Sequence, residues 1–213
     1  MPEAFEFTVK AWQLITHRAS SPTYRRTKRT LSAAEREGCG FFADTPITRE
    51  AHARTIACAR VLRATAVLFQ CPASFAPTDE NCDRMRRYFR RRTHAPPELE
   101  GGSRLRYLWE PRGPRWVAAR ERAIALADEL GLVLVVDPFV TRPEPGRPVY
   151  FRLHGIGGAA HSYSEAELTH LASMLDVAPG VERSTPAYVL FNNLPRVGDA
   201  TRFLARVRRD RAC

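Results

Sequence analysis

The sequence predicts an α/β protein whose parallel strands are covered by helices, and three observations carry that prediction. Strand-like and helix-like stretches alternate along the 213 residues. The strand-like runs, such as residues 66–70 and 132–136, are continuously apolar. Strands buried on both faces read this way, and burial on both faces is the mark of parallel sheets. Each run also stops at a polar residue: Lys10, Gln70, Glu110, Asp137, His154 or Asn192. Helical crossovers bring the carboxyl ends of parallel strands to one side, where the sites of such folds lie.

Taken in order, residues 5–9 alternate aromatic and polar side chains and close on Lys10, a strand pattern. Residues 16–29 read as a polar loop carrying His17, Tyr24, Arg25, Arg26 and Arg29, and residues 32–45, with Gly38 and Gly40, as an irregular segment. Thr48 is placed to cap a helix from residue 49 to about 64. The buried strand at 66–70 stops at Cys71-Pro72, and a second helix runs from Thr78 or Asp79 to Arg92 with Met85, Tyr88 and Phe89 as its apolar stripe. Residues 94–102, rich in Pro and Gly, end that unit, and residues 105–110 form the next strand. The clearest helix spans 115–130, with Trp116, Ala119, Ala123, Ile124, Ala127 and Leu130 along one side and Gly131 at its end. Strands follow at 132–136 and 149–155, then a helix opened by the Ser164/Glu167 capping box, a strand at 187–191, and a closing helix at 198–209. One domain over residues 1–213 is expected.

Within 149–155, Arg152 and His154 stand two apart and so share one face of their strand. A guanidinium with five donors and a group titrating near neutrality would sit together there. A solvated edge strand would explain the pair alone, but it does not explain why the other strands end in Lys, Gln, Glu, Asp and Asn. Those ends point to a shared anion-binding rim, joined by Arg112, Asn193 and, from the first loop, His17.

Lysine and arginine total 33 against 23 acidic residues, a net charge of +10. Such an excess implies attraction to nucleic acid, phosphorylated metabolites or an anionic surface, without choosing among them, and the partner expected is an anionic small molecule or nucleic acid. The arginines of the second helix, Arg84, Arg86, Arg87, Arg90, Arg91 and Arg92, surround an apolar stripe, as the solvated face of an outer helix does. The loop from Tyr24 to Arg29 is the better nucleic-acid contact.

The five cysteines are scattered without a Cys-x-x-Cys pair, which argues for reduced thiols. Free cysteines of this kind behave as small hydrophobes and some are expected in the core; a catalytic thiol would need a basic or helix-terminal setting, and only Cys71, just after an apolar run, has a position that could supply one. No apolar run approaches the roughly 20 residues of a membrane span. The amino terminus lacks a basic, apolar leader, so a cytoplasmic location is expected.

The segments FEFTVKAWQLITH (5–17), LFQCPASF (68–75), Glu110-Pro-Arg112 with Trp116, FRLHG (151–155), Tyr163 with Glu167-Leu168, and YVLFNN (188–193) with Asp199-Ala200 resemble the YecE-like family, the domain of unknown function numbered seventy-two. The resemblance implies a TIM-barrel-like fold and does not imply a reaction. Members of the family carry two further strand units before the Phe-x-Phe-x-x-Lys strand, at which this chain begins. The expectation is therefore an incomplete, amino-terminally truncated barrel with about six of the roughly eight strands of a full one. Its exposed edges would favour oligomerisation.

Glu110, Asp137 and His154 are the candidates for acid-base chemistry, His154 as proton carrier and Glu110 or Asp137 as base. Lys10, His17, Gln70, Arg112, Arg152, Asn192 and Asn193 are the candidates for holding the anion. The same carboxylates and histidine could take a divalent metal, but no His-Glu-x-x-His or similar spacing fixes one, and an ion pair with Arg112 or Arg152 accounts for them equally well. The cofactor is thus open. Two functions compete: a hydrolase or phosphodiesterase-like enzyme, and a non-catalytic nucleic-acid binder or inactive remnant.

Overall fold

A computed structural model describes residues 5–26, 29–93, 104–176 and 186–210. The Pro- and Gly-rich stretch at 94–102, Lys28 and Cys213 lie outside them. The chain divides into two compact units, Met1–Leu134 and Val135–Cys213.

The first unit is built on a sheet of four strands, β1 (Thr8–Lys10), β2 (Ala66–Gln70), β3 (Arg106–Glu110) and β4 (Val133–Leu134), in the order β1-β2-β3-β4. Every neighbouring pair is parallel. Between them run α1 (Gln13–Thr16), a tight turn of 3-10 helix (Pro22–Arg26), α2 (Ala33–Gly38), α3 (Pro46–Val61), α4 (Asp79–Thr93), α5 (Pro114–Ala118) and α6 (Arg120–Glu129). Val67, Phe69, Tyr107 and Trp109, the odd positions of β2 and β3, face the helices and join Met85, Tyr88, Phe89 and Trp116 in one buried cluster. The even positions, Leu68 with Gln70 and Leu108 with Glu110, point to the opposite face, which is where the polar strand ends emerge.

Several boundaries differ from the sequence pattern for local reasons. The 32–45 segment contains α2, because Ser32 and Glu35 form a reciprocal capping box with bonds of 3.2 and 2.8 Å. A helix of six residues is too short to show periodicity. Helix α3 starts three residues before Arg49, with Thr45 as its N-cap and Pro46 at its first position, where a missing N–H costs nothing. Thr48 is instead fully buried, and its hydroxyl accepts from the Thr45 N–H at 3.1 Å. The expected helix at 115–130 is broken at Ala119 (φ −102°, ψ 37°). Before the break, Trp116 is pinned edge-on to Trp109 and donates to the Phe75 carbonyl; after it, Ala123, Leu126 and Ala127 face the core.

The turn at 40–42 is the strained part of this unit. Gly40, Phe41 and Phe42 all have positive φ (86°, 49° and 55°). At Gly40 a Cβ would lie 2.4 Å from the His17 carbonyl carbon, so only glycine fits. For a bulky residue the left-handed region costs about 1–2 kcal/mol. Phe42 is 1% exposed and meets Phe75, Tyr88 and Phe89 at 5.3–5.4 Å between centroids. Burying such a ring contributes about 1.5–3 kcal/mol, with aromatic geometry adding more, so packing outweighs the strain.

The second unit pairs β5 (Tyr150–Leu153) with β6 (Tyr188–Phe191), again parallel, and Val136 forms a further parallel bridge to Phe151. Helices α7 (Glu165–Asp176) and α8 (Arg196–Asp210) complete it. Phe151, Leu153, Val189 and Phe191 face Tyr163, Leu168, Leu171 and Phe203 in its core. The Ser164/Glu167 capping box forms as its spacing predicts, with bonds of 2.7 and 3.3 Å. Among the described residues no helix is long and apolar enough to cross a membrane.

Candidate functional site: polar rows at the strand ends

In the first unit four predicted residues form a continuous row. Gln70 and Glu110 are register partners at the carboxyl ends of β2 and β3. Lys10 pairs with Leu68, two residues short of Gln70, and its long stem spans that stagger of roughly 7 Å. Lys10 Nζ donates to Gln70 Oε1 at 2.7 Å, Gln70 Nε2 donates to Glu110 Oε1 at 2.9 Å, and Arg112 Nη1 donates to the same oxygen at 3.2 Å. An ammonium only donates and a carboxylate only accepts, so the Gln70 amide can face one way. Charge along the row runs positive, neutral, negative, positive. Glu110 is 3% exposed and Lys10 lies in solvent, so the carboxylate is the sheltered member and the cations are the accessible ones.

His17 follows the same strand but turns inward. It is 7% exposed, its Nδ1 lies 2.8 Å from Thr16 Oγ1, and its carbonyl accepts from Tyr24 Oη at 2.9 Å. Burial, and the nearby Lys10 charge, push its imidazole down to about 4, so it is neutral at physiological pH. Tyr24, read as loop surface, holds this corner, with its Oη also 3.3 Å from Cys39 Sγ. Cys71 is 1% exposed beneath Trp109 Nε1, and burial raises its thiol well above the usual range. It packs as a core thiol.

The second unit carries its own row. Arg152 Nη2 donates to Asn192 Oδ1 at 3.2 Å, and Asn192 Nδ2 lies 3.2 Å from His154 Nδ1. Asn192 thus links the two residues that the strand period places on one face. Arg152 is 8% exposed, more enclosed than a rim residue need be. Asp137 accepts from the backbone N–H of His154 at 2.9 Å and of Phe139 at 3.2 Å, so its carboxylate fixes the backbone under His154. Asn193, 1% exposed, donates to His161 O and to Asp199 Oδ2 at 2.8 and 2.6 Å.

Asp199 was quoted above as part of a motif, without a role. It is 1% exposed and accepts from Asn193, Ser162 Oγ (2.9 Å) and Arg202 (2.7 Å). Burial raises its carboxyl, but these donors together hold it below the usual carboxylate range. No local pattern marks it, because its partners lie 6 and 37 residues away as well as one turn along α8. Among the described residues no three His, Cys, Asp or Glu side chains are grouped as a metal would need.

The arginine helix behaves as a solvated face. Arg84 pairs with Glu80 at 2.7 Å, and Arg86 with Asp83 and Glu129 at 2.8 Å each.

Fold and strand ends together define a class: an α/β protein of parallel strands that gathers charged and amide groups where those strands end. The chain belongs to the DUF72 family, the protein family of unknown function whose model matches residues 1–212. A DUF72 family protein from Thermotoga maritima MSB8 is similar in structure with a TM-score of 0.64 at 22% identity, covering 96% of this chain and 74% of its own. A second, from Enterococcus faecalis V583, has a TM-score of 0.57 at 20% identity, covering 98% and 74%. At these identities the likeness is one of fold. No curated protein matches the chain.

Proposed function

We propose that this chain binds an anionic ligand, a phosphorylated small molecule or nucleic acid, at the carboxyl ends of its strands, and that it carries hydrolase or phosphodiesterase-like chemistry there. The observation behind this reading is the Lys10–Gln70–Glu110–Arg112 row. Two cations flank a sheltered carboxylate whose hydrogen-bond donors fix its orientation. The cations would take the phosphoryl oxygens and Glu110 would accept a proton from an attacking water. In the second unit His154 would carry protons, with Arg152 and Asn192 orienting it and Asp137 positioning its backbone. A TIM-barrel-like fold is part of the proposal, supported by the parallel direction of every strand pair. Strand β1, at the edge of its sheet, offers a route to oligomerisation.

The test is binding and turnover of a generic phosphodiester, bis(p-nitrophenyl) phosphate. Lys10→Met with Arg112→Met is expected to weaken binding at least tenfold, and Glu110→Gln to remove turnover while leaving binding within about threefold. Binding without turnover in the unaltered chain would favour the non-catalytic reading, which the net charge of +10 supports. Binding that ignores the Lys10/Arg112 change would refute the site.

A further inference from the structure

Away from the strand ends, the first unit holds a cavity of about 410 Å³ lined by Asp44, Arg49, Arg87 and Arg92. Three guanidinium groups face one carboxylate, which leaves an excess of two positive charges at its wall. Arg92 is fixed there: its guanidinium stacks on the Tyr88 ring at 3.9 Å, donates to the Tyr88 carbonyl and lies 3.9 Å from Asp44. Arg49, itself exposed, donates to the Asp44 carbonyl and carboxylate at 3.1 and 3.2 Å. Arg87 is exposed and, among the described residues, makes no hydrogen bond or ion pair. The other arginines of α4 with described partners are neutralised by local carboxylates, as Arg84 and Arg86 are.

We infer that this cavity is a second anion site, taking the diphosphate group of a small phosphorylated ligand. One guanidinium held on Tyr88, one paired to Asp44 and one uncommitted are suited to oxyanion recognition, because each offers paired N–H donors matched to two phosphoryl oxygens. The volume of this half-open cavity lies in the range of small-ligand pockets and exceeds what one phosphate would fill. Asp44 pairs with Arg49 and lies 3.9 Å from Arg92, and its charge opposes that of an entering anion. The site stands independently of the strand-end row, with which it shares no residue.

The probe is sodium pyrophosphate, titrated calorimetrically into the full chain, with a ten-residue oligothymidylate in a parallel arm. Saturable pyrophosphate binding is expected, weakened at least fivefold by Arg87→Ala, partly restored by Arg87→Lys, and strengthened several-fold by Asp44→Asn. Among the described residues Arg87 makes no hydrogen bond or ion pair, so the melting temperature of Arg87→Ala should match that of the unaltered chain. Absence of saturable binding, or binding indifferent to Arg87→Ala, would overturn the site. So would pyrophosphate binding that vanishes only in the Lys10→Met, Arg112→Met variant, since that result would assign it to the strand ends. An Arg87-dependent oligothymidylate affinity without pyrophosphate binding would also overturn it, in favour of a nucleic-acid face.

Discussion

The first unit should lose stability as the pH falls from about 6.5 to 4, through one buried and one half-buried histidine. His17 is described above. His52 is stacked on Phe69 (centroids 6.4 Å, planes 15° apart), lies edge-on to Tyr88 and Tyr107, and has Nδ1 2.9 Å from Tyr88 Oη. Burial, with the Arg92 charge added, pushes it from its ordinary 6.5 to about 4, as burial and Lys10 do for His17. In the unfolded chain both titrate near 6.5, so between the two values the unfolded state binds more protons and stability rises with pH. Linkage gives about 2 kcal/mol lost per histidine at pH 5, and about 3 kcal/mol for the pair after allowance for the partial exposure of His52. Against a typical stability of about 5–15 kcal/mol this is a large fraction, equivalent to about 10 °C in melting temperature. The carboxylates held low, Glu35 by the Ser32 N–H and then Arg29, Glu50 by Arg29 and Glu129 by Arg86, have ordinary values of 4.5, so their contribution is lost only below that and leaves the window from 5 to 6.5 to the histidines.

The assay is thermal or urea unfolding from pH 5 to 8, comparing the natural chain with His52→Phe, which keeps the ring stack and removes the titrating group. The variant should be about 1–2 kcal/mol less stable at pH 8, where Tyr88 Oη loses its partner, yet should lose roughly half as much on acidification. Equal pH slopes for the two proteins, or an NMR titration of His52 centred near 6.5, would refute the reasoning.

Two further outcomes test the packing of this unit. Gly40→Ala should destabilise by more than about 2 kcal/mol in chemical denaturation, because the new Cβ meets the His17 backbone while φ stays positive; an effect below about 0.5 kcal/mol would show that the turn relaxes. Alkylation of the native protein followed by peptide mass mapping should modify exposed Cys58 and leave Cys71 untouched until unfolding; native labelling of Cys71 would contradict its raised thiol pKa.

What can be read along the chain is what neighbouring residues decide. The continuous apolar run of β2, the Met85/Tyr88/Phe89 stripe of α4 and the Ser164/Glu167 cap all form where local pattern places them. The Ser32/Glu35 cap of α2 was equally legible, but two nearby glycines masked it. The strand-end polar residues were visible as types, since each closes its own run.

Their partnerships were not visible. Lys10 meets Gln70 across 60 residues and Gln70 meets Glu110 across 40, contacts that exist because parallel pairing sets one register out of several that the apolar runs would allow. Which polar groups are enclosed was hidden for the same reason: His17 and Cys71 adjoin the strand ends in sequence, but the fold turns both inward, and burial then fixes them as a neutral imidazole and an inert thiol. The arginine cavity depends on the start of α3 lying beside the far half of α4, a placement made by the packing of Phe42 against Tyr88 and Phe89. Sequence alone thus determined the elements and the chemical kinds at their ends, because periodicity, caps and turn residues act over a few positions. Tertiary structure decided register, burial and therefore protonation, because those depend on atoms brought together from distant parts of the chain.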